Sequence, residues 1–229
     1  MNYEETEKQS LELTDDLCNN ILSKISHFVI GGWAVTAYSG NIRFTADVDL
    51  ITKPLTTMPV IKAFNKDWDT KKVFYGVQAK HRKTGIQVHI NTISNMLDRT
   101  TNTKIPVPSE LFENICKARI NGIYCKNTIE IPICPFNYLL TLKAIPNRVR
   151  DDFDFILLWL NKNYSIEEFK KYLNKCNNIK PFFDKCRRIS DKNYFYSLPK
   201  KLITNQRFDL IKYNVITKKI DEIKAMCKS

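Results

Sequence analysis

Two aspartates, Asp47 and Asp49, stand in the run RFTADVDLI, shortly after the paired glycines Gly31 and Gly32 of IGGWAV. Side chains two apart on a strand leave from one face, so both carboxylates point the same way while Val48 and Leu50 turn toward a core. At about 6.6 Å and an effective dielectric near 20, two such charges repel by about 2.5 kcal/mol. A divalent cation held between them removes that cost. Two hard oxygen donors with other positions left open suit Mg²⁺ or Mn²⁺, which keeps its waters and takes phosphate oxygens from a substrate. The glycines serve the same end, because they let the backbone approach a phosphate closely at the mouth of a following helix. Arg43 and Thr45 add a guanidinium and a hydroxyl to the stretch.

These residues need a scaffold, and the apolar pattern supplies one. Leu11, Leu17, Ile21 and Ile25 recur at roughly helical spacing, which predicts an opening amphipathic helix. A short strand is expected over 27–30, a brief helix over 33–38, a turn at Gly40-Asn41, a strand over 47–52 and a helix over 57–65. Residues 73–79 and 86–93 read as a hairpin joined by KHRKTG, and 100–108, polar with two prolines, as a linker. A helix over 109–117 and strands over 120–124 and 128–133 are expected next, the last two joined at Asn121-Gly122. Beyond Pro135 the pattern is helical, with a capping-box spelling at Ser165-x-x-Glu168 and a long final helix over 208–226. The expectation is an α/β (α+β) fold: a mixed sheet flanked by helices in 1–106, then a mainly helical region in 107–229.

Composition narrows the setting. The 229 residues are 43% hydrophobic, enough for a real core. No run approaches the roughly eighteen apolar residues of a membrane span, and MNYEETEKQS lacks a signal-peptide profile, so a cytoplasmic protein without membrane association is expected. Seven scattered cysteines without a C-x-x-C pair indicate neither a disulfide framework nor a zinc site. The net charge of +12 is uneven: residues 1–105 carry 13 Lys and Arg against 11 Asp and Glu, the remainder 23 against 13. A basic second half can attract a polyanion by phosphate contacts. Tyr194, Phe195 and Tyr196, set among lysines and arginines, fit base stacking or helix packing, and packing is the commoner use.

GGWAV followed by RFTADVDL resembles the signature of the DNA polymerase β-like nucleotidyltransferase superfamily. Downstream, Lys143, Arg148, Arg150, Asp151 and Asp154 in LKAIPNRVRDDFDFI resemble a motif of AbiEii-like toxins and antibiotic-modifying nucleotidyltransferases. The resemblance covers most of 28–160. It implies transfer of a nucleoside monophosphate from an NTP to a hydroxyl, with Asp47 and Asp49 holding Mg²⁺ or Mn²⁺ and Gly31, Gly32, Arg43 and Thr45 near the nucleotide. It also implies that Lys143 faces the triphosphate while Asp151 and Asp154 orient the basic groups or the base and ribose, as a helical region closes over the nucleotide. For toxin-like relatives it implies tRNA or other RNA as acceptor and an antitoxin as partner; for antibiotic-modifying ones, a small hydroxylated acceptor.

The pattern breaks at one place. Such enzymes bring a third acid from a neighbouring strand, and the strand expected to carry it, GIQVHINTIS, has none. Gln87 and His89 share a face there, and either fits the position, His89 as a general base or metal ligand. A protein that binds nucleotide or RNA without turnover is the alternative, and a phosphotransferase using the same pocket is a third.

Overall fold

In the computed structural model, residues 2–40, 44–54, 56–113, 115–161, 164–202, 204 and 207–226 are described. They form two compact units, Met1–Leu97 with Ile105–Pro135 and Asp98–Lys104 with Phe136–Ser229. The division falls at Pro135 and not at 106, because two strands after the expected linker pair back onto the first unit's sheet.

The first unit opens with α1 (Tyr3–Asp16), whose Asn2 side chain accepts from the Glu5 amide at 3.3 Å as its N-cap. Then come β1 (His27–Ile30), α2 (Gly31–Ser39), β2 (Val48–Thr52) and α3 (Thr57–Ala63). Next are β3 (Trp68–Val73), β4 (Gly76–His81) and β5 (Gln87–Asn91), then, after a short ribbon of β6 (Asn95–Asp98) and β7 (Thr103–Pro106) whose residues are divided between the two units, β8 (Cys116–Asn121) and β9 (Thr128–Ile133). The main sheet has seven strands in the order β3-β4-β5-β2-β1-β9-β8. The β1–β9 and β2–β5 pairs are parallel and the others antiparallel.

Period-two alternation orients this sheet. Val48 and Leu50, Val77 and Ala79, and Val88 and Ile90 are all fully or almost fully buried, and they join Leu11, Leu17, Leu22, Trp33 and Val60 in one core. At about 1.5–3 kcal/mol for each large side chain buried, this apolar layer holds the sheet against α1, α2 and α3. The polar residues between them, Asp49, Gln78, Gln87 and His89, are thereby forced onto the opposite face.

Two stretches differ from the sequence expectation for physical reasons. The expected strand over 73–79 crosses the two-residue turn Phe74-Tyr75, and β3 precedes it, its Lys71 and Lys72 hiding the alternation because β3 is an edge with few buried side chains. The helix expected over 109–117 is a single 3₁₀ turn (Ser109–Phe112), and Cys116 begins β8, whose ladder to β9 outweighs helical propensity.

The second unit is helical: α4 (Phe136–Ala144), α5 (Val149–Trp159), α6 (Ile166–Leu173), α7 (Lys180–Ile189), α8 (Lys192–Ser197) and α9 (Leu210–Met226). Phe155, Trp159, Phe169 and Phe182 form its aromatic centre, with ring centroids 4.7–6.4 Å apart. Ser165 caps α6 as its spelling predicts, accepting from the Glu168 amide at 3.3 Å. The reciprocal half of the box is replaced: Asn137 accepts from the Ser165 amide at 3.1 Å and donates to Glu168 at 2.6 Å, tying α4 to α6. Ile216, Ile220 and Ile223 form the buried stripe of α9, whereas Leu210, Ile211 and Val215 lie exposed. Among the described residues no helix is long and apolar enough to cross a membrane.

Candidate active site

The site begins where β1 ends. Ile30 pairs with Asp49 across the antiparallel β1–β2 ladder, and the chain then turns sharply into α2 through Gly31, whose φ is +66°. A side chain at Gly31 would meet more than backbone strain. Its Cβ would collide with Asp49 Oδ2 and lie 3.1 and 3.2 Å from Asp49 Cβ and Cγ. A Cβ at Gly32 would likewise strike Thr45 Oγ1 and lie 2.8 Å from Thr45 Cβ. The two glycines are therefore the space into which Asp49 and the buried Thr45 fit, and Asp49 faces the bend. The bend opens α2, whose first N–H groups lack partners within the helix and carry the positive end of its dipole.

Gly31→Ala places a Cβ in left-handed backbone, at about 1–2 kcal/mol, and pushes Asp49 aside. A drop in melting temperature of about 2–4 °C per kcal/mol is expected, with weakened nucleotide binding in the folded fraction. Calorimetry and equilibrium binding of an NTP check it; unchanged values in both would contradict the packing described.

Asp47 lies one residue before β2 and is exposed; Asp49, on β2, is half-exposed. His89 on β5 stands in register with Asp49, Nδ1 lying 3.2 Å from Asp49 Oδ1. Of the two residues that could fill the missing acid's place, His89 is thus the one opposite Asp49, and Gln87 sits one step along, bonded to Gln78 at 3.1 Å. The Asp49 hydrogen bond raises the His89 pKa above the ordinary value against the opposing effect of burial, with the Asp49 and Asp47 charges adding to it and Lys71 detracting. Arg43 lies outside the described residues. Among the described residues no three His, Cys, Asp or Glu side chains are gathered as a complete metal cage. Asp49 stands beside the glycine bend and the Asp47 charge is felt at the neighbouring His89, and hard carboxylate oxygens of this kind suit Mg²⁺ or Mn²⁺ completed by a substrate's phosphates.

The downstream motif lies in the second unit. Lys143 on α4 is buried, its Nζ 3.1 Å from Asp151 Oδ1 and 2.8 Å from Asp154 Oδ2 on α5. Arg148 caps α5 and reaches Asp151 at 2.5 Å from an exposed position, and Arg150 is exposed. The structure thus brings Lys143, Arg148, Asp151 and Asp154 together as an ion-pair network, with the lysine held by the two acids.

Sequence reading missed the neighbour of this network. Asp152, fully buried, accepts from Lys185 at 2.6 Å, from Arg188 at 2.8 Å through two nitrogens and from the Tyr194 hydroxyl at 2.6 Å. The signal was Lys185 itself, a charge amid the apolar stripe Phe182, Cys186 and Ile189 of α7, which obliges a buried carboxylate partner. Packing is also the use found for Phe195, fully buried against Phe208 with centroids 4.8 Å apart.

No protein-family model matches the chain, and no curated protein matches it significantly. Solved structures do. JHP933 from Helicobacter pylori is 16% identical and matches with a TM-score of 0.51 over 97% of this chain and 96% of its own. An antigenic nucleotidyltransferase-like protein from Paracoccidioides brasiliensis is 14% identical, with a TM-score of 0.44 over 86% of this chain and 94% of its own. The chain shares the fold of that Helicobacter pylori protein, a mixed sheet in which Asp49 and Thr45 pack on the glycine bend.

Proposed function

We propose that this protein transfers a nucleoside monophosphate from an NTP to a hydroxyl acceptor. The observation that carries the reading is the seat of Asp49 against Gly31, which places an ionisable oxygen beside a helix-opening bend suited to phosphate. Asp47 and Asp49 would hold Mg²⁺ or Mn²⁺, which when bound supplies charge stabilisation to the attacking and leaving oxygens. The chain's own part is positional: the glycine bend and the amides opening α2 bind phosphate oxygens, Thr45 fixes the bend from behind Gly32, and the paired acids orient the reacting groups.

RNA is the acceptor class favoured by the basic balance of residues 106–229, and the AbiEii-like spelling of 143–154 extends this to a tRNA-directed toxin with an antitoxin partner. The decisive experiment supplies each NTP labelled at the α- or γ-phosphate, with Mg²⁺ or Mn²⁺ and total RNA. Label from the α-position in the acceptor, with pyrophosphate release and loss on chelation, supports the proposal. Movement of the γ-label alone establishes a phosphotransferase instead.

A second reading is favoured by one observation: β5 offers Gln87 and His89 outward but no acid. Such a protein would bind nucleotide without turnover, and the absence of pyrophosphate release at either metal, with measurable NTP binding, would select it.

A further inference from the structure

The outward face of the first unit's sheet carries a row that the sequence did not reveal. Lys71, Gln78, His89 and Asp49 lie level across β3, β4, β5 and β2. Gln78 Nε2 stands 3.1 Å from Gln87 Oε1 and 3.2 Å from His89 Nε2, and His89 Nδ1 stands 3.2 Å from Asp49 Oδ1. We propose that Gln78 is a positioning residue: it holds His89 as the Nδ1–H tautomer, so that the ring donates to Asp49 and fixes that carboxylate. This rests on the reading of Asp49 as the cation-holding acid.

An amide nitrogen has two hydrogens to give and accepts nothing, so both of its neighbours must accept. Gln87 Oε1 takes one hydrogen and His89 Nε2 takes the other. A neutral imidazole whose Nε2 accepts carries its proton on Nδ1, and that N–H has Asp49 Oδ1 in front of it. Around a neutral ring, reversing both amides would set a bare Nδ1 lone pair against a carboxylate oxygen, a repulsive contact.

The consequence concerns both ends of Asp49. Oδ1 is directed to β5 by the ring, while Oδ2 is the atom lying against Gly31. His89 in this state has no unoccupied lone pair with which to deprotonate an acceptor hydroxyl, because Gln78 occupies Nε2. Its work is to aim an acid, in the way that partners behind metal-binding groups commonly do.

The test reads the ring directly. The chain has three histidines, so ¹⁵N-histidine labelling with long-range proton–nitrogen correlation at mildly alkaline pH resolves each, His89 being assigned by its loss in His89→Asn. Wild type is expected to show His89 protonated at Nδ1 only. In Gln78→Leu, a change at a half-exposed sheet position, the ring is expected to exchange between tautomers. Mn²⁺ affinity, followed by water-proton relaxation, is expected to fall about 10- to 100-fold with the melting temperature kept. A wild-type ring protonated at Nε2, or a Gln78→Leu protein with the wild-type tautomer and Mn²⁺ affinity, overturns the proposal. Because the tautomer is read without substrate, a protein that shows Nδ1–H and loses Mn²⁺ affinity in the variant, yet transfers no nucleotide, supports this inference while sinking the transferase reading.

Discussion

Asp49→Ala is expected to lower kcat/KM for nucleotidyl transfer at least about 10²- to 10³-fold, the loss typical of removing one preorganised charged group from a reacting centre. Asp49 is placed for that role by three neighbours at once: Ile30 in the ladder, Gly31 beneath Oδ2 and His89 beside Oδ1. The side chain is 39% exposed, so its removal leaves little of the core disturbed and the melting temperature should hold. Asp49→Asn separates charge from shape. It keeps the volume packed on Gly31 and an oxygen for the His89 N–H, but supplies no negative charge. If the carboxylate holds a divalent cation, Asn is nearly as inactive as Ala. Steady-state pyrophosphate release with α-labelled NTP decides the matter, and an Asn variant with wild-type turnover would remove the carboxylate from the mechanism.

How much of this was legible beforehand depends on which interactions set each feature. The glycine bend and the strand that carries Asp49 could be read because their constraints are local: Gly31 needs a left-handed φ, and period-two alternation over Val48–Thr52 decides which side chains face outward, although Asp47, expected on the same strand, lies one residue before it. The helical course of α9 and the Ser165 cap were readable for the same reason, whereas of the apolar residues expected on the face of α9 only Ile220 and Ile223 are buried. What escaped was set by partners distant in sequence. His89 and Gln87 share a face, and only the β2–β5 register, a pairing 40 residues apart, puts His89 opposite Asp49. Edge strand β3 hid its identity behind lysines, since an edge buries too little to enforce a pattern. Lys143, Asp151 and Asp154 were named by their motif, but the seat of the lysine between the two acids comes from the packing of α4 on α5.

The largest stability effect is expected in the second unit, from Asp152→Ala. Asp152 and Lys185 are both fully buried, and removing one member of a buried pair leaves the other as an uncompensated charge, at about 3–5 kcal/mol. The position in α5 adds to the effect, because a carboxylate in the first turn also meets the positive end of the helix dipole. Burial alone raises the Asp152 pKa, but the Arg188 hydrogen bond, the Lys185 ammonium and the Tyr194 hydroxyl outweigh it and hold the carboxyl below the ordinary value. A depressed folded-state pKa gives stability that is fully present above the unfolded value of about 3.9 and is lost as pH falls through the folded one. Wild type should therefore lose stability below about pH 4, and Asp152→Ala should lose less over the same interval, having forfeited this contribution already. Replacing both partners, Asp152→Leu with Lys185→Met, should recover much of the loss, since an apolar pair needs no compensating charge. Denaturant unfolding of the wild type, the two single variants and the double variant at neutral and acid pH measures the coupling. Purely additive losses across that cycle would show that the two charges do not depend on each other for their place in the core.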